Sequence, residues 1–141
     1  MKNKLFLTFA LVLGFASVAS ADAYIRGVVA NDFLPRLIQG GYRINDTVET
    51  GLLRNGQTMT FTIYAPRGQR VRLMAVGDID SYDVDLFVRG GETGRMITCD
   101  TRVTDRPDVT FVSQGGSYEV TVRLYDSRLP SNVLLIYAVR G

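Results

Sequence analysis

From Thr47 onward the apolar residues recur at every second position, in one short run after another. Met59, Phe61 and Ile63 alternate with Thr58, Thr60 and Thr62, and Val71, Leu73 and Ala75 alternate with Arg70, Arg72 and Met74. Successive side chains of an extended strand point to opposite faces, so each run describes a strand with one buried and one wet face. Val84, Leu86 and Val88 repeat the pattern, as do Val109 with Phe111. Tyr118, Val120, Val122 and Leu124 face one way and Glu119, Thr121 and Arg123 the other. Residues 132–140 are apolar on both sides, through Val133, Leu134, Leu135, Ile136 and Tyr137, which predicts a central or covered strand.

Turn signals separate these runs: Arg54-Asn55-Gly56, Pro66-Arg67-Gly68, Gly90-Gly91, Gly115-Gly116 and Pro130-Ser131-Asn132. With 47–53 and 95–100 added, about eight strands follow one another with no helical pattern between them. That order predicts an all-β fold, an antiparallel β-sandwich of jelly-roll or Greek-key type over residues 47–141. A closed barrel is the architectural alternative.

Residues 22–46 follow a different period. Ile25, Val28, Val29, Phe33, Leu37 and Ile38 recur at three- and four-residue steps, the spacing of one helical face. Asn31-Asp32 and Pro35 interrupt it, which predicts a short helix, or two turns with a break, with Pro35 in the first turn of a helix capped by Asn31. Gly40-Gly41 ends the segment. Its expected role is to plug one end or cover one face of the sandwich.

Residues 1–21 read as an export signal: Lys2 and Lys4, an apolar run from Leu5 to Val18, and the small-x-small site Ala19-Ser20-Ala21. Cleavage there starts the mature chain at Asp22 and leaves about 120 residues, enough for one core without disulfides or metal. The protein is therefore expected in the periplasm or secreted, with no membrane insertion after cleavage. The precursor holds 16 Lys and Arg against 14 Asp and Glu, but both lysines lie in the signal, so the mature chain is formally neutral. That balance gives no basic field for nucleic acid or anionic membrane. Every remaining base is arginine and most acids are aspartate, as suits a loop-rich β protein with surface ion pairs.

Gly51-Leu52-Leu53-x-x-Gly56 leads into the strand at 58–64. Asp83-Val84-Asp85-Leu86-Phe87-Val88 follows, and then Gly116-Ser117-Tyr118-Glu119-Val120-Thr121-Val122. This order resembles the bacterial pre-peptidase C-terminal domain over roughly residues 47–140. The resemblance implies a jelly-roll-like sandwich with an accessory role, such as binding, secretion or maturation beside secreted enzymes. Some relatives bind collagen and take calcium. No protease domain is attached here, so the domain is expected to act alone or with a separate partner. The acidic calcium-binding linker of collagen-binding relatives has only a thin counterpart in Asn45, Asp46 and Glu49. Asp100, Asp105, Pro107 and Val109 resemble a segment of small exported bacterial proteins.

Asp78, Asp80, Asp83 and Asp85 place four carboxylates within eight residues beside a predicted loop. Calcium takes six to eight oxygen ligands, which aspartate-rich loops supply, so these four are the candidate metal ligands and calcium the candidate cofactor. The spacing is not that of an EF-hand. The competing reading has Asp78 and Asp80 shaping the turn while Asp83 and Asp85 share one strand face and pair with arginines such as Arg70, Arg72 or Arg123. A second acidic group, Asp100, Asp105 and Asp108 with Arg102 and Arg106, reads as a solvated loop with local pairing.

Catalysis finds few parts. The chain has no histidine, and no lysine survives cleavage, so a Ser or Cys nucleophile lacks its usual base. Asp80 with Asp83 or Asp85 is the remaining acid–base pair, a carboxylate-based hydrolase. Cys99 is the single cysteine, so no intramolecular disulfide forms; sharing a strand face with Ile97, it is expected to be a small buried hydrophobe. Among seven tyrosines, Tyr64 and Tyr82 are candidates for stacking on a sugar or gripping a protein. The expected function is a non-enzymatic exported binding or accessory module with a protein or polysaccharide partner. A structural or interaction protein of the cell envelope is the alternative.

Overall fold

The computed structural model describes residues 23–141; the expected signal, 1–21, lies outside them. Eight strands form two four-stranded antiparallel sheets. One runs, edge to edge, β1 (Arg43–Glu49), β8 (Val133–Arg140), β3 (Arg70–Gly77) and β6 (Asp108–Val112). The other runs β2 (Thr58–Tyr64), β7 (Ser117–Ser127), β4 (Ser81–Gly90) and β5 (Met96–Asp100). Every link except the β4–β5 hairpin crosses between sheets, which makes the sandwich a jelly roll.

The alternation holds at the centre. Val71, Leu73 and Ala75 of β3 meet Val84, Leu86 and Val88 of β4 and Val120, Val122 and Leu124 of β7 in the core between the sheets. Strand β8 is buried on both faces. Val133, Leu135, Tyr137 and Val139 enter that core, while Leu134, Ile136 and Ala138 join Met74 and Val76 in a second core under the N-terminal helix. The two-sided apolar run of 132–140 thus reflects a central strand with a cover.

The cover is a helical run of three pieces: α1 (Ala23–Val28), a π-helical turn (Val29–Phe33) and α2 (Leu34–Gln39). Ile25, Val28, Val29, Phe33 and Leu37 are buried on the sheet. Of the two expected forms, one short helix or two turns with a break, the chain takes the first and runs on through Asn31; the expected Asn31 cap does not occur, and no side chain caps α2. Pro35 has no N–H to give to the carbonyl four residues back. The turn widens instead, and Leu34 N–H bonds the Val29 carbonyl five residues away. The extra residue shifts the phase, so Ile38, expected on the apolar face, is exposed.

Strand β1 also departs from expectation, running from Arg43 rather than from 47, so the sandwich begins inside the segment read as helical. Gly51 has φ +77°, a left-handed conformation that ends a ladder, and Thr50 turns its hydroxyl onto Val133 N–H at 3.1 Å. The strand extends backward instead, through an irregularity between Ile44 and Asp46, along the whole of β8.

Leu135 and Ile136 are neighbours that serve different cores, and this is testable. Leu135→Ala and Ile136→Ala should each destabilise the fold by about 2–5 kcal/mol in denaturant unfolding. Only Ile136→Ala should also raise amide exchange across 23–39 in the native state. Equal helix protection in the two variants would contradict the two-core description.

Candidate functional site

The helix covers the outer face of the β1–β8–β3–β6 sheet over its two central strands, β8 and β3. Among the described residues no helix lies on the outer face of the other sheet, which carries the acidic strand. Because Val84, Leu86 and Val88 point into the core, Asp83, Asp85 and Phe87 point outward from β4. In register, Asp85 lies opposite Arg123 and Asp83 opposite Asp126 on β7, with irregularities on both sides of Asp83. Thr60, Thr121, Phe87 and Cys99 form the next row across the four strands.

The four carboxylates read as one candidate metal site do not converge. Asp78 is used by the backbone: its Oδ1 accepts Asp80 N–H at 3.0 Å and its Oδ2 accepts Asn132 N–H at 2.9 Å. These bonds shape the β3–β4 turn and tie it to the start of β8. Gly77 is required there, since a Cβ would lie 2.1 Å from Ser81 Oγ. Asp80 accepts a hydrogen bond from Arg128 Nη2, and its carbonyl accepts Arg128 N–H at 2.8 Å. Among the described residues no group of three or more His, Cys, Asp or Glu side chains is placed to hold a metal. The hydrolase pairing fails on the same geometry: Asp80 is held by Arg128, and Asp83 and Asp85 lie side by side on one strand rather than across a cleft.

Asp83 and Asp85 were expected as candidate metal ligands or, in the competing reading, as paired with arginines; no ion pair among the described residues includes either. They are 6% and 5% exposed, and Oδ1 of each is enclosed with no hydrogen-bond donor. Arg123, in register with Asp85, instead lays its guanidinium over the Tyr125 ring at 5.0 Å, and its Nε is likewise enclosed without a partner. Burial first, and then the neighbouring Asp83 charge, pushes the Asp85 carboxyl above its ordinary value, while Arg123 pulls the other way. Tyr82, the chain neighbour of Asp83, and Tyr125, which stacks on Arg123, are each 53% exposed. In the sequence Tyr125 is one of seven tyrosines and is not singled out; the group that stacks on it is Arg123, two residues earlier on the same face of β7. Tyr64 is half-buried, and its carbonyl accepts the Tyr137 hydroxyl at 2.8 Å.

The second acidic group is a clamp rather than a solvated loop. Asp100 does pair locally, accepting Arg102 Nη2 at 2.6 Å, and it also accepts Asp108 N–H at 2.9 Å. Asp108, however, takes the fork of Arg72 at 3.0 and 2.7 Å and Arg36 of α2 at 3.0 Å. Arg106 reaches Asp32 of the π turn at 3.0 Å. Burial alone would raise Asp32, but hydrogen bonds from Arg36 and Arg106 hold it below its ordinary value; Arg102 does the same for Asp100. Cys99, expected to be buried, is exposed. It lies opposite Phe87 on an edge strand whose outer face has no cover, so the face it shares with Ile97 is the wet one.

No family model matches the sequence, and no curated protein is similar to it. Solved structures match in shape. The pre-peptidase C-terminal domain of a collagenase from Bacillus anthracis superposes with a TM-score of 0.52 at 13% identity, covering 65% of this chain and 86% of that one. A periplasmic inhibitor of g-type lysozyme from Aeromonas hydrophila gives 0.46 at 13% identity, over 69% and 86%. A family 35 carbohydrate-binding module from Clostridium thermocellum gives 0.42 at 12%, over 71% and 98%. The strand order and the first of these superpositions define the class: an antiparallel jelly-roll sandwich with the fold of the pre-peptidase C-terminal domain. Leu86, Val88, Tyr118, Val120 and Val122, the apolar positions of the two motifs that suggested it, are all in the inter-sheet core.

The Asp83–Asp85 pair predicts a pH dependence whose sign is set by the raised carboxyl. Protonated Asp85 stabilises the fold below the ordinary aspartate value of about 3.9, and that contribution is lost as pH rises through its higher folded value. Asp32 and Asp100, held low, act in the opposite direction and below that range. In chelator, Asp85→Asn should flatten the decline in stability above about pH 4 and raise stability at pH 7 relative to wild type. Parallel curves from denaturant titrations at several pH values would show that the pair carries no such strain.

Proposed function

We propose that this chain is a non-enzymatic, exported accessory module that binds a protein or polysaccharide partner outside the cytoplasm through the open face of its β2–β7–β4–β5 sheet. The observation that carries the reading is the asymmetry of the sandwich. One sheet has its two central strands covered by α1, the π turn and α2, while the other presents Tyr125, Arg123 and Phe87, and no helix among the described residues lies over them. An aromatic–arginine surface of this kind is well suited to contact, since Tyr and Arg are enriched where proteins recognise partners. Export rests on the charged start, the apolar run and the Ala19-Ser20-Ala21 site. No helix among the described residues is long and apolar enough to cross a membrane.

Two measurements test this. Mass spectrometry of the protein recovered outside the cytoplasm should find an N-terminus at Asp22; an intact Met1 would remove the export part. The purified mature chain is then assayed for retention on insoluble polysaccharides, peptidoglycan and an extracellular-matrix protein panel. Tyr125→Ala with Arg123→Ala should weaken retention roughly tenfold or more, as expected for anchor residues. Exposed Ile38→Ser on the helix side should leave it unchanged. Retention that ignores the first variant, or release of cleaved substrate by wild type, would overturn the reading.

A further inference from the structure

We infer that Asp83 and Asp85 are the anionic ligands of a site for a hard divalent cation, calcium by its chemistry, on the outer face of β4. The inference stands on the enclosed oxygens and not on the count of acidic residues. Oδ1 of Asp83 and Oδ1 of Asp85 are both shut off from solvent, on side chains more than nine-tenths buried, and no donor reaches either. The two carboxyls lie within hydrogen-bond reach of each other, but once both are ionised they are acceptors only, have no hydrogen bond between them and need a positive partner. Burying them without one costs more than almost any other arrangement of polar groups.

Arg123 favours the ionised form of Asp85 from across the register, but among the described residues no hydrogen bond or ion pair supplies that partner. None of the ion pairs among the described residues includes Asp83 or Asp85. Arg123 is opposite Asp85 but stacked on Tyr125. Asp100, whose charge reaches Asp85, is itself taken by Arg102 and the Asp108 amide. Asp126, opposite Asp83, adds a further negative charge to the same edge.

The donors are all oxygen, which selects calcium or magnesium over the softer metals. Calcium accepts irregular geometry and completes its shell with water, whereas magnesium holds a near-octahedral set of its own waters. With two carboxylates and no third converging, the site belongs with weak ones of the millimolar kind found in extracellular modules. The ion would sit at the outer face next to Tyr125, and it is independent of which partner that face engages.

The experiment is a thermal melt of the mature protein at neutral pH in millimolar calcium against chelator. Wild type should gain several degrees in Tm once calcium is about a hundredfold above its Kd. Asp83→Asn with Asp85→Asn should lose the gain, and Asp80→Asn, in the neighbouring turn, should keep it. Terbium provides a second readout on folded protein of each kind: its emission, excited through tyrosine, should appear with wild type, be displaced by calcium and be absent from the double variant. No Tm gain in wild type would overturn the site. So would a gain of equal size in the double variant. A wild-type stability that follows pH but ignores calcium would show that the two oxygens share a proton instead. Partner retention measured in chelator separates this result from the fate of the binding reading.

Discussion

Strand β8 is the member on which the rest of the structure depends. Its two faces serve two cores at once: Leu135 and Tyr137 close the space between the sheets, and Leu134 and Ile136 form the floor on which the helix lies. A strand with one wet face could be reached by solvent when its sheet breathes. A strand buried on both faces, hydrogen-bonded to β1 on one side and β3 on the other, cannot be exposed without undoing both cores together. The Tyr137 phenol shows how closed this centre is, since burial pushes its pKa up to about 12.

The helix held on that floor decides which surface remains available. Apolar contact supplies most of its attachment, and a set of charges fixes its position. Asp108 at the start of β6 takes Arg72 from the adjacent strand and Arg36 from α2, while Arg106 takes Asp32 from the π turn. Half-exposed pairs of this kind contribute about 0–1 kcal/mol each, so they orient the helix more than they stabilise it. The two-toothed Arg72–Asp108 contact is the exception, being less exposed and geometrically matched. With the centre of one sheet face covered in this way, the acidic strand β4 lies in the other sheet, over which no helix among the described residues is placed.

The two motifs behind the family resemblance divide cleanly in physical terms. In D-x-D-L-x-V and G-x-Y-x-V-x-V, the apolar positions are core residues, and their spacing by two makes them readable from the chain alone. The aspartates of the first motif point the other way, and nothing in their spacing says what meets them. Local pairing was the natural expectation for Asp108 and an ion pair for Asp83 and Asp85. Asp108 instead found arginines 36 residues before it on β3 and 72 before it on α2, and the β4 pair found no donor for its inner oxygens. Cys99 and Ile38 fail for a related reason: each sits in a correctly read element, but which of its faces is covered depends on neighbours far along the chain.

The sequence by itself determined the strands, their alternation, the central place of the last one and the helical character of the N-terminal segment. Those properties follow from periodicity, which is local and is imposed by the geometry of a single extended or coiled backbone. The tertiary structure decided the rest. It chose which sheet the helix would cover, widened the helix at Pro35, ended β1 at Gly51 and split the four aspartates between a turn and a strand face. It also buried Asp83 and Asp85 together beside Arg123. Burial and electrostatic environment are sums over every element packed nearby, and a residue's own neighbours in the chain supply only a small part of that sum.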